Sequence, residues 1–204
     1  MKENSILEPR SAMIFPTRHD MPRAGTPTEQ IALQNQAWTA LEKYVTPNGR
    51  DRTRLSNNWL GDKGWHVQLV GHHDIRKEEG VDRLAAAASK RGHRSLLGTV
   101  VQPGDVRASA VWQIPSTVEL IAYFFGSHYP FFHMLFARDM SFAVHANDGD
   151  FAVYAGPTEW LREALPAEAI GPEATAWVRS GVEEEHGEGS LADVINHYEP
   201  FMLG

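Results

Sequence analysis

Four consecutive residues, Gly71-His72-His73-Asp74, put two imidazoles and a carboxylate directly after an alternating apolar stretch. Imidazole and carboxylate bind zinc, iron or manganese, and either can move a proton in acid–base work. Backbone geometry prunes the group. In an extended chain His72 and His73 point to opposite faces. His72 and Asp74 share a side, with α-carbons ~6–7 Å apart, so this pair could hold one ion. His66 lies on the same side but ~20 Å back at ~3.3 Å per residue, too far to share it. Further ligands must come from elsewhere in the chain. His128 and His133, which bracket the aromatic run Tyr129-Pro130-Phe131-Phe132, could complete the shell. The candidate metal set is therefore His72, Asp74, His128 and His133. It matches no His-Glu-x-x-His or zinc-knuckle spacing. The simpler alternative makes Asp74 a turn cap with solvated histidines, and His128 and His133 a helix-to-strand corner of the core.

A second feature is electrostatic. Glu183, Glu184, Glu185 and Glu188 crowd into the run Glu183-Glu184-Glu185-His186-Gly187-Glu188. Such a run could grip a basic protein, for example a nuclease whose own site expects phosphate, or it could simply be a solvated loop. The formal net charge of -7 is unevenly spread: residues 1–110 hold 16 Lys and Arg against 12 Asp and Glu, residues 111–204 only 3 against 14. An acidic half of this kind repels nucleic acid and attracts basic surfaces. The basic stretch Arg50-Asp51-Arg52-Thr53-Arg54, with Asn57, Asn58 and Trp59, could contact phosphates and stack a base. It is short, however, and no nucleic-acid fold signature accompanies it.

Other chemistries lack their residues. The chain has no cysteine, which excludes disulfides, thiolate zinc sites and a cysteine nucleophile. There is no Gly-x-Ser-x-Gly elbow, no Ser-x-x-Lys, no P-loop and no Gly-x-Gly-x-x-Gly after a strand. No residue is assigned a catalytic role, and the cofactor is left open.

Positioning these groups requires a scaffold, and 204 residues at 42% hydrophobic can bury a substantial core. Residues 1–25, rich in proline and without periodicity, read as an irregular N-terminal arm, and residues 26–204 as a single globular domain. Thr26, Pro27 and Glu29 announce a helix whose apolar spacing runs from Ile31 through Leu41, Tyr44 and Val45. Arg50 to Gly64 reads as a loop. Trp65 to Val70 alternates as a strand, and Val81 to Arg91 is helical. Ser95 to Val101 and Arg107 to Ile114 form a hairpin about Pro103-Gly104. A capping box of Ser116 and Glu119 opens a very apolar helix, expected to be central and buried. Phe131 to Ala137, Ser141 to Ala146 and Phe151 to Ala155 make a three-stranded meander, and helices beginning near Pro157, Pro172 and Ser190 finish the chain. The fold class is α+β: one antiparallel or mixed sheet of about six strands, a hairpin plus a meander, with helices packed on it.

No apolar run approaches the ~20 residues of a membrane span. The N-terminal MKENSILEPRSAMIF is a poor secretory signal, and the missing cysteine fits a reducing compartment. The chain reads as soluble, cytoplasmic and not bound to membrane. Two functions fit. The first is a non-enzymatic protein-interaction module, concretely an immunity-type inhibitor holding a basic toxin or nuclease through its acidic C-terminal half. The alternative is a small metal-assisted hydrolase built on the His72/Asp74 pair.

Overall fold

The computed structural model describes residues 21–45, 51–71, 78–101, 110–127, 132–147, 151–186 and 191–204. Six strands form one antiparallel sheet: β3 (His66–Gly71), β4 (Ser95–Val101), β5 (Val111–Pro115), β6 (Phe132–Phe136), β7 (Ala143–Asn147) and β8 (Phe151–Gly156), in the order β3-β8-β7-β6-β4-β5. These are the six strands that the alternating and apolar runs predict. β6 and β8 are buried at every position, so the sheet carries an apolar layer on each face. Val67, Leu69, Met134, Phe136 and Val153 belong to one layer. Val70, Leu96, Leu135, Val144 and Tyr154 belong to the other.

The second layer is closed by α3 (Glu78–Lys90), α4 (Val118–Ser127) and α5 (Thr158–Ala164), which contribute Leu84, Phe124 and Trp160 among others. Ile121, Phe124 and Phe125 of α4 are buried, while Glu119 and Gly126 are exposed. It therefore covers the sheet rather than running through the centre, and the Ser116 hydroxyl caps nothing among the described residues. The first layer is closed by α1 (Pro27–Thr39), the hairpin β1 (Leu41–Val45) and β2 (Asp51–Leu55), α2 (Asn57–Lys63) and α7 (Ala192–Tyr198). The long helix α6 (Pro172–His186) packs against β3.

The β1–β2 hairpin corrects two expectations. Helical spacing continues on paper to Val45, yet α1 stops at Thr39 and the chain turns extended, because Leu41 and Leu55 pair across the two strands and bury together. Glu42 stands opposite Arg54, an opposite-charge cross-strand pair that favours this register. The stretch read as a loop is in fact strand and helix. Thr53 and Leu55 point inward while Arg52 and Arg54 remain half-exposed. Ser56 then caps α2 by accepting from the Trp59 N–H at 3.2 Å, and Gly64 ends it with φ +61°.

Both sheet edges are covered by segments from near the chain ends. Pro22–Ala24 lies along β5, with Ala24 N–H donating to Val111 O at 2.9 Å and Gln113 N–H to Pro22 O at 2.8 Å. The Gln30 amide extends this pairing, donating to Val111 O and accepting from Val111 N–H, each at 2.9 Å. Part of the segment expected to be irregular thus behaves as an added edge. At the other end, Met202 bridges Val67 in parallel. Unpaired edges recruit foreign strands, so this cover has a protective value. Among the described residues no helix is long and apolar enough to cross a membrane.

Gly98 on β4 makes one tight contact legible. A Cβ there would stand 2.8 Å from the Phe124 ring and closer still to the Ile114 side chain, both fully buried. Gly98→Ala should therefore lower stability by about 1–3 kcal/mol through overpacking. Urea unfolding measures this, and an unchanged midpoint would show that α4 shifts freely over the sheet.

Candidate functional site

A cavity of about 450 Å³ lies beside the C-terminal end of β3. Its construction begins with Gln68, which is buried on an edge strand and must satisfy its amide there. Gln68 Oε1 accepts from the Gly171 N–H at 2.9 Å, and its Nε2 donates to Leu69 O at 3.2 Å and to Thr175 Oγ1 at 3.3 Å. Gly171 holds φ +99°, a conformation open to glycine and costly for other residues. The clamp fixes the start of α6 against β3. Beyond it the helix lays Glu173, Ala174, Trp177 and Val178 toward the cavity, the i, i+1, i+4, i+5 pattern of one helix face. The connection Leu165–Ala169 closes another wall, and Gly71, Gly80, Ala169 and Ala174 are too small to fill the space between.

The lining is mostly apolar, with a few polar points. Tyr154 is 1% exposed, lines the cavity and stacks on Trp160. Burial pushes its pKa well above the usual 10, so it remains a phenol that can donate or accept. Glu168 and Glu173 are exposed carboxylates on the lining, and no lysine, arginine or histidine joins them among the described lining residues. Trp177 is 62% exposed, an unusual cost for so large an apolar ring.

A second polar cluster has a different character. Ser56 donates to Glu42 Oε1 at 2.6 Å, and Tyr44 donates to Glu42 Oε2 at 2.8 Å. The two bonds hold the Glu42 carboxyl below its usual range. His197 Nε2–H donates to Leu55 O at 2.8 Å, which leaves Nδ1 facing the Tyr44 hydroxyl at 3.0 Å. Burial lowers the His197 pKa, so the ring is neutral near pH 7. The Tyr198 hydroxyl accepts from Leu55 N–H at 2.8 Å. Together these bonds tie α7 to the β1–β2 hairpin and α2. They act as a staple.

The residues singled out by type are dispersed. His72, Asp74 and His128 lie outside the described residues, as does Glu188. Glu183, Glu184 and Glu185 fall in the last turn of α6, which corrects the picture of a loop there. His133 is buried on β6, with Phe124 and Phe125 edge-on at 5.3 and 6.1 Å. Among the described residues no group of three or more His, Cys, Asp or Glu is placed to hold a metal ion. His66 pairs with Thr158 at 3.1 Å and His93 with Ser141 at 3.3 Å. Arg54 packs on the Tyr44 ring at 4.6 Å and donates to Asp193 O, so this cation of the basic stretch already has partners within the fold. The cavity was missed because its walls come from distant segments, each of which reads as ordinary core. The one signal in sequence was a tryptophan on an otherwise polar helix.

No family model, curated protein or solved structure matches the chain.

His145 allows a test of how burial controls the histidines. It is 1% exposed, its ring is parallel to Phe132, and Nε2 lies 3.2 Å from Thr53 Oγ1. Burial pushes its pKa from 6.5 down to about 4. The unfolded chain therefore binds the extra proton first, and stability falls as pH drops from ~6.5 toward ~4. His145 alone should account for about 3 kcal/mol of that loss. In denaturant titrations at pH 7, 5.5 and 4.5, His145→Gln should flatten this slope. An equally steep acid loss in the variant would assign it elsewhere.

Proposed function

We propose that this protein is a non-enzymatic binding protein for a small amphiphilic molecule, held in the cavity between β3 and α6. One observation carries the reading: a space of about 450 Å³ with mostly apolar walls, the phenol of the buried Tyr154 and an exposed tryptophan on the lining. Ligand sites combine these properties, with a volume of roughly 300–1,000 Å³, an apolar lining and a few polar groups that orient the guest. An apolar body would displace poorly held water from Leu69, Leu165 and Val178, and one polar atom would meet the Tyr154 hydroxyl. The neutral dye N-phenylnaphthylamine offers a direct probe. It should bind with enhanced fluorescence, and Ala174→Phe, which fills the space, should abolish the enhancement while leaving the fold intact by circular dichroism. If Ala174→Phe does not fold, Ala169→Leu substitutes for it from the opposite wall. Full dye binding by a folded cavity-filled variant would remove the reading.

The acidic C-terminal half supports a second reading, a basic protein partner of the immunity type. Glu183, Glu184 and Glu185 occupy the C-terminal turn of α6, the negative end of its dipole, where carboxylates are disfavoured by about 0.3–1 kcal/mol each. A cationic partner would relieve that repulsion. Immobilised wild-type protein should then retain a basic partner from its source lysate at low salt and release it as salt rises. The quadruple change of Glu183, Glu184, Glu185 and Glu188 to Gln should lose it. Equal retention by that variant would exclude these carboxylates as the contact.

A further inference from the structure

The exposed part of the cavity lining carries a charge pattern that selects among amphiphiles. Two of its residues are carboxylates, Glu168 on the short 3-10 turn Ala167–Ala169 and Glu173 in the first turn of α6. Glu173 and Trp177 stand four residues apart on the same helix face, so a carboxylate and an indole ring are neighbours there. The two carboxylates share a small volume with no described cation to balance them. The indole face is itself electron-rich and attracts cations within ~6 Å. A ligand with an anionic head would meet repulsion from both groups, and a neutral one would leave them unused.

Resting on the cavity reading above, we infer that the ligand is an amphiphilic organic cation. Its ammonium head is held by Glu168, Glu173 and the Trp177 ring, and its apolar body lies between β3 and α6. An amine is recognised in two ways at this rim. The carboxylates supply charge attraction, weakened by solvent to a few-fold each because both are exposed. The indole supplies a cation–π contact of similar size. Together they should favour a cation over an isosteric neutral molecule by about tenfold.

Displacement of N-phenylnaphthylamine by octylamine, octanol and octanoate at pH 7 and low salt tests this directly. The three share one apolar body and differ in head charge. Octylamine should displace the dye at about tenfold lower concentration than octanol, with octanoate weakest. The double change Glu168→Gln, Glu173→Gln should reduce the amine's advantage about fivefold and leave octanol unchanged. Trp177→Leu, which retains apolar area, should reduce it two- to threefold. Glu183→Gln with Glu184→Gln removes as much charge elsewhere and should preserve the preference, which separates a local site from the general attraction of an acidic protein for cations. Octanol displacing as well as octylamine would overturn the cationic ligand and leave the cavity reading standing. Octanoate displacing best would overturn it in favour of an anion. Failure of every probe, together with dye binding that survives cavity filling, would remove the cavity reading itself.

Discussion

A β-strand at the edge of a sheet leaves a row of backbone groups without partners, and β3 is such a strand, bonded on one side to β8. Much of the chain beyond β8 answers that constraint. The connection after α5 passes around the sheet, Gly171 takes a backbone conformation open to few other residues, and the buried Gln68 amide fastens the start of α6 through Gly171 and Thr175. The C-terminal Met202–Leu203 segment meets β3 again, with Leu203 N–H donating to Val67 O. The cavity lies where this cover stops fitting. Beyond Gln68, small residues on the linker and on α6 face the end of β3 and do not fill the space. An edge that must be covered thereby becomes a wall available to a guest.

The histidines behave differently from what their number suggests. His133 and His145 lie on strands buried on both faces and pack against aromatic rings, and burial disfavours the charged form of His145. His197 is a hinge-pin in a staple: one nitrogen donates to a backbone carbonyl and the other faces a tyrosine already bonded to a glutamate. His145 and His197 each satisfy a local polar contact, with Thr53 Oγ1 and with Leu55 O. Burial lowers the pKa of both rings, so their protonation weakens the fold. The acidity of the protein is likewise not uniform in effect. Glu42 and Glu163 are held by partners, Glu163 by Lys90 and Arg91 at 2.6 and 3.2 Å, whereas Glu168 and Glu173 border an apolar hollow.

The six-stranded sheet was legible because its strands are either alternating or wholly apolar, and both patterns report burial directly. The capping pair Thr26 and Glu29 was equally readable at α1, where the Glu29 N–H donates to Thr26 Oγ1 at 3.3 Å. The Glu29 carboxylate lies back over Gly25 and pairs with Arg138 of the β6–β7 turn. The β1–β2 hairpin was not legible from α1 onward, since Leu41, Tyr44 and Val45 satisfy helical spacing as well as strand pairing. The alternation Arg52-Thr53-Arg54-Leu55 did carry the signal, but charged residues on the outer face masked it as loop.

Sequence by itself determined the class of fold, the chain positions of its main strands, the position of most helices, and the acidity of the C-terminal half. Those properties depend on local periodicity and on composition, which neighbours along the chain express. Only the tertiary structure decided that the polar stretch after α1 pairs as a hairpin, that Glu183 to Glu185 end a helix, and that a hollow opens beside β3. The hollow depends on contacts between segments tens of residues apart. A cavity in particular is a deficit of packing, defined by what several walls fail to fill, and no single stretch of sequence encodes it.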